Sequence, residues 1–536
     1  MPRLAPRILP CLAALAAALL LAVPAVAQHQ MHDTTELVLN GEIPLFGNLG
    51  PYTRPIATSN PEAQAFFDQG LGLAYAFGRR EAQQSFVAAM KKDPKCASCR
   101  WGLAWTLGPY VNDSTMYSGA STIAFEQAQE AKRLAVGSRE VERALIDATL
   151  VRYEPEPTRR TRAELDTAYM VAMRDVARRF PDDPDVATLY AESIMVLRPW
   201  NYWTRAGRPQ PGVAELLEVL ERVLRRDPSH PGACHLYIHA TEASLEPGRA
   251  TSCADLLVDA MPGASHMVHM PSHTYMRLGR YDEAVRSSQL ARAADKQAER
   301  GSATATYPDH NLHMLLVAAS YDGQSAVAIQ AARDLALLSP ASAQQLPLVL
   351  ARFGRWQEIL QLPRSADAFL GAMLSYARGL AQVRTGGVAA ARTSVQAVEA
   401  ELRATTGRDN RVLLGIARAI LSAEIDASAR NYDAAVRTLE QARVLEADSL
   451  GYAEPEDWIL PVRQVLGSVL LEAGRPADAE IAYRGELEAH PENGWSLYGL
   501  QLALEAQGKL DEAAAVLARF RRAWTRADVQ IRGARF

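Results

Sequence analysis

The 536-residue chain predicts an all-α fold, a solenoid of stacked helical hairpins. Three observations carry that expectation. The composition is rich in Ala and Leu, with no long stretch of the β-branched and aromatic residues that strands favour. Helical patterns run through residues 138–153, 162–180 and 186–197. Small and large residues also recur together at a period of about 34, the mark of a repeat architecture.

Taken in order, residues 1–27 read as a secretory signal peptide. Arg3 and Arg7 supply a basic start, residues 11–23 an apolar stretch, and Ala25-Val26-Ala27 a small-residue cleavage site. The apolar stretch is too short to span a bilayer comfortably. An exported, periplasmic or secreted chain, cleaved near Ala27 and making no stable membrane insertion, is therefore expected. Residues 28–60, rich in Gly, Pro, Asn and Thr, read as an extended lead-in; His29 and His32 belong to it. Net charge is −4 with dispersed positive charge, which argues against a nucleic-acid partner.

The repeats divide into an N-terminal solenoid over 61–342, with a His-rich groove, and a C-terminal solenoid over 343–536. One unit shows Leu466-Gly467, Leu470, Gly474, Ala479, Tyr483 and Pro491. Others show Gly70, Ala82, Phe86, Ala89 and Pro94; Tyr275, Gly279, Tyr281, Ala284 and Ala291; Tyr432, Ala435, Leu439 and Ala442; and Leu500, Leu504, Gly508, Ala513 and Leu517. This pattern resembles the tetratricopeptide repeat (TPR), which implies hairpins stacked into a right-handed superhelix. Residues 110–230 and 345–410 are helical without good consensus, so degenerate or lengthened hairpins are expected there.

Seven of the 11 histidines fall between His235 and His313. They run His235-x3-His239-x2-Glu242, His266-x2-His269-x3-His273 and His310-x2-His313. Spacings of three, four and seven place side chains on one face of a helix. Units 231–264, 265–298 and 309–342 can be laid in one frame, anchored without histidine by Ala250, Ala254 and Pro262, by Gly279 and Ala284, and by Gly323, Ala328, Ala332 and Pro340. His235, His269 and His313 then share position 5, His239 and His273 position 9, His266 and His310 position 2, with Glu242 at position 12. The TPR resemblance implies that these positions line the concave groove. Imidazole is the commonest protein metal ligand, and a His set with a carboxylate and no thiolate suits zinc, copper, nickel or iron. Met267 and Met270, at positions 3 and 6, are expected in the core. The stretch is not the H-E-x-x-H motif, so Glu242 reads as a ligand or a carboxylate behind the ligands. It is also the single candidate for a catalytic group, as a general base toward metal-bound water.

Four cysteines lie beyond the signal: Cys96, Cys99, Cys234 and Cys253. The Cys96/Cys99 pair at a helix start reads as a redox pair, as soft ligands, as a structural disulfide or as two ordinary cysteines; Arg100 excludes the usual c-type haem attachment. Cys234 and Cys253 lie on the two helices of one hairpin, where a disulfide would stiffen the helix bearing His235 and His239. Residues 197–204 read as a loop, and Arg198, Trp200, Asn201 and Trp203 could contact a ligand or pack between repeats.

Several strings, among them Phe67-Asp68-Gln69-Gly70-Leu71, Cys96-x2-Cys99-x-Trp101-Gly102, Tyr237-Ile238-His239, His266-x2-His269-Met270-Pro271-x-His273, Tyr307-x2-His310-Asn311-x-His313 and Asn493-Gly494-Trp495, are similar to an exported bacterial TPR family with a His-rich central region. That resemblance implies one fold and one His-bearing groove; the metal is inferred from spacing. Three functions compete. The chain could bind a transition metal and present it, or a metal-dependent site, to a partner. It could be a metal-free scaffold holding a protein or peptide in its groove. It could be a metallohydrolase or metal-dependent oxidoreductase.

Overall fold

A computed structural model describes residues 39–117, 119–155 and 158–536. The expected signal peptide, its cleavage site, His29 and His32 lie outside the described residues. Among those described are 25 α-helices, two short 3₁₀ turns and no strand. None of these helices is long and apolar enough to cross a membrane. Each helix packs chiefly on the helices before and after it in the chain, as a TPR-type solenoid requires.

Consensus residues make that stacking close. A methyl group on Gly70 would lie 2.8 Å from the Phe86 ring, and one on Gly102 2.4 Å from it. Gly467 and Gly499 bear the same relation to Tyr483, at 2.5 and 2.3 Å. Each aromatic ring is therefore held between a glycine of its own unit and one of the next, and this sets the inter-repeat distance. Gly499→Ala should destabilise by about 1–3 kcal/mol through overpacking. Gly47→Ala, where a methyl meets nothing within 4 Å, should change stability by no more than about 0.5 kcal/mol. Urea unfolding of the two variants checks the contrast; equal midpoints would show that the ring tolerates the methyl.

The region of weak consensus is helical, as expected, over Ala120–Leu134, Glu140–Leu150, Arg162–Arg179, Pro184–Val196 and Val213–Arg226. Its starts have local causes. Thr161 and Glu164 form a capping box, and Asp183 caps Val186 with Pro184 at the first helical position. One expectation is corrected. The first helix of unit 265–298 is two pieces, Ser265–His269 and Pro271–Leu278, because Pro271 has no N–H to continue the ladder.

The superhelix is tight enough that distant segments meet. The Trp495 indole donates to the Ser320 carbonyl at 3.0 Å, and Arg352 to the Ile459 carbonyl at 2.8 Å. Residues 39–60 of the lead-in contain no helix yet pack on the core through Phe46, Leu49 and Tyr52, with Arg54 paired to Asp183 and Asp185. In the concave groove expected around the histidines, six of the seven are buried by the chain's own segments.

Candidate metal centre

Four helices converge. Helix Pro231–Thr241 starts at His230, whose Nδ1 accepts the Ala233 N–H at 3.1 Å, and carries His235 and His239; Glu242 caps its end. Ser265–His269 and Pro271–Leu278 carry His266, His269 and His273. Pro308–Tyr321 carries His310 and His313.

Their side chains form two separate imidazole triplets, His235/His239/His266 and His269/His273/His310, and a third overlapping group, His239/Glu242/His273. In each group the potential ligand atoms lie within 4.8 Å of one another. His235 Nε2 is 3.0 Å from His239 Nε2. His269 Nε2 is 2.7 Å from His273 Nε2 and 2.8 Å from His310 Nε2. Glu242 joins the triplets: Oε1 is 3.0 Å from His239 Nδ1 and Oε2 is 2.5 Å from His273 Nδ1. All seven groups are buried.

Hydrogen positions follow from the partners. The Tyr75 carbonyl, 2.5 Å from His235 Nδ1, can only accept, so Nδ1 carries the hydrogen and the neutral ring turns a lone pair outward at Nε2. The ionised form of Glu242, which burial disfavours and a bound cation would favour, accepts from Nδ1 of His239 and of His273 and leaves a lone pair at each Nε2. His235 and His239 then face each other lone pair to lone pair. His269 Nε2 meets two other Nε2 atoms and has at most one hydrogen to offer. Such convergence of acceptors suits a cation. Burial lowers the His235 pKa to about 4, so a proton is a poor substitute. Burial, with Glu454 nearby, also pushes the Glu242 carboxyl up; Arg277 and Tyr452 oppose this.

A ring of aromatics encloses the first triplet. The Phe77 ring lies 4.2 Å from His235 and stacks on His239 and His266 at 5.6 and 5.5 Å. The Trp200 edge meets His239 at 4.9 Å, and Tyr307 meets His266 at 5.3 Å. Phe77, Trp200 and Tyr307 all have left-handed backbones, with φ of 58°, 61° and 56°. That conformation costs about 1–2 kcal/mol per non-glycine residue, and such strain gathers at functional sites.

The structure thus brings together His235, His239, Glu242, His266, His269, His273 and His310. His313, half-buried, belongs to none of the three groups. Met267 and Met270 are core residues. Residues 197–204 are a loop whose Trp200 reaches the site; Trp203 donates to the Ala240 carbonyl at 2.7 Å, Asn201 accepts from Gln210, and the Arg198 carbonyl accepts the Asn201 N–H. Cys96–Cys99 and Cys234–Cys253 are disulfides. Cys96 and Cys99 are joined to each other and buried, at 1% and 0% exposure. Sequence reasoning missed Tyr75, Phe77 and Tyr452. The first acts through its carbonyl and the second through backbone strain, neither of which a single sequence displays.

No protein-family model and no curated protein matches the chain. Among solved structures it aligns with human IFIT1 dimer bound to m7Gppp-AAAA at 12% identity, covering 80% of this chain and 90% of that one, with a TM-score of 0.30. Yeast Tom70 aligns at 11% identity over 87% and 93%, with a TM-score of 0.25. Cut9–Hcn1 of the APC/C aligns at 12% identity over 88% and 90%, with a TM-score of 0.29. These are helical-repeat proteins, and at such scores their ligands carry no argument here.

Proposed function

We propose that this chain is an exported TPR-type solenoid that binds a transition metal through its buried histidines and presents it, or a site built on it, to a protein partner. The observation that carries the reading is the convergence of six buried imidazoles, from four helices, with the potential ligand atoms of each triplet within 4.8 Å of one another. Zinc, copper, nickel and iron all accept such nitrogen sets. Export is supported by the basic start, apolar stretch and Ala25-Val26-Ala27 of the sequence, and by two disulfides, which fit an oxidising compartment. For a partner, a cleft of about 600 Å³ lined by Arg408, Arg411 and Arg418 offers room and charge to an acidic peptide.

The chain from Gln28, made without a polyhistidine tag, should carry a transition metal by elemental analysis, either as isolated or after reloading. No metal under either condition would leave a metal-free interaction scaffold. A metal-dependent enzyme is the second reading. Three-histidine sets leave coordination positions for water or substrate, and strained aromatics flank one of them. Under it, Glu242→Gln should retain metal while losing turnover.

A further inference from the structure

We propose that the histidine array holds two transition-metal ions, one in His235/His239/His266 and one in His269/His273/His310, with Glu242 outside both coordination shells and orienting both. This rests on the metal reading above and goes beyond it in the number of ions and the role of Glu242.

The triplets share no residue, and each is complete by itself. Ligands at about 2.05 Å from one ion lie roughly 2.9–3.4 Å apart for right-angle to tetrahedral geometry. The Nε2 separations of 3.0 Å in the first triplet and 2.7 and 2.8 Å in the second lie at or just below the short end of that range. Small ring rotations would open each triplet around an ion.

The overlapping group is the alternative, with one ion held by His239, Glu242 and His273. Its geometry argues otherwise. Glu242 Oε2 and His273 Nδ1 are 2.5 Å apart, a short hydrogen bond. Both carboxylate oxygens are engaged with Nδ1 atoms, leaving Nε2 of His239 to the first triplet and Nε2 of His273 to the second. A carboxylate that accepts the second N–H of a metal-bound imidazole fixes the tautomer and the ring orientation. Here one carboxylate does so for two rings in two triplets. His235 receives the same service from the Tyr75 carbonyl, and His269 from Ser272, whose hydroxyl lies 3.4 Å from Nδ1.

The donor set defines the ligand class. All six donors are imidazoles, and the four described cysteines are tied up in disulfides. Nitrogen-preferring first-row ions are therefore favoured over magnesium or calcium, which want oxygen. The His239 and His273 rings are 5.6 Å apart, so the two ions would be near neighbours.

The untagged protein is stripped with chelator, reloaded with zinc chloride, desalted and analysed. Two zinc per chain are expected, falling to one in His235→Ala and to one in His310→Ala, each checked for fold by circular dichroism. Glu242→Gln should weaken both sites by about 10–100-fold yet still saturate at two. Copper(II) loading of the unaltered chain needs no variant, and should give a spin-coupled pair signal. One zinc per chain, lost in Glu242→Gln, or an isolated copper signal at full loading would overturn the two-ion proposal and leave the metal reading standing. No zinc and no copper bound would overturn both.

Discussion

His239→Ala combined with His273→Ala should abolish the stabilisation of this protein by zinc. His239 belongs to the first triplet and to the Glu242 group, and His273 to the second triplet and to the Glu242 group. The pair therefore removes a donor from every candidate arrangement, whichever one binds. Loss of an orienting partner alone costs about 10–100-fold in affinity, and loss of a ligand costs more. A ligand at 1,000 times its Kd adds about 4.1 kcal/mol of stability per site. Urea unfolding of the unaltered chain should shift by that order between chelated and zinc-loaded samples, while the double variant should not shift. The comparison is made within each protein, so the cavity left by two buried imidazoles cancels. An unaltered chain whose midpoint ignores zinc would remove the basis for a metal site.

Much of this site was legible because repeats turn sequence register into space. Positions 2, 5 and 9 of successive units fall on one inner face, so six of seven expected histidines meet. His313 does not join a group although it shares position 5 with His235 and His269. His310, on the same helix, does join, so a shared register number does not by itself mean a shared depth. Depth itself was not legible. The groove is filled by Phe77, Trp200 and Tyr452, from outside the three His-bearing units, and by Tyr307 at the start of the helix that carries His310. What brings the first three there is the packing of segments distant in sequence, which no single unit encodes. The glycine–aromatic contacts were legible for the opposite reason. Gly70 with Phe86 and Gly467 with Tyr483 are contacts within one unit, repeated.

His490→Gln should cost about 1.5–3 kcal/mol at pH 6, the order of a hydrogen bond to a charged group, and much less at pH 10. His490 Nδ1 lies 2.8 Å from Glu486 Oε1, and Nε2 lies 2.5 Å from Glu456 Oε1. A carboxylate on each nitrogen calls for hydrogens on both, that is, for the imidazolium. Burial opposes that charge, but Glu456 and Glu486 outweigh it and raise the pKa to about 10 from an ordinary value of 6.5. Because the folded value is the higher one, the contribution is complete below about pH 6.5 and is lost as pH rises toward 10. The observable is the difference in unfolding free energy between the two proteins, in metal-free samples from pH 6 to 10, so that other titrating groups cancel. A constant difference would show that His490 is not charged in the fold. Glu456 follows Tyr452 and Glu454 in one segment, and the Tyr452 hydroxyl donates to Glu454 at 2.9 Å while Tyr452 also reaches Glu242. His490 thus anchors the segment that reaches the carboxylate between the two triplets, so its loss should weaken metal binding at pH 7 as well as the fold.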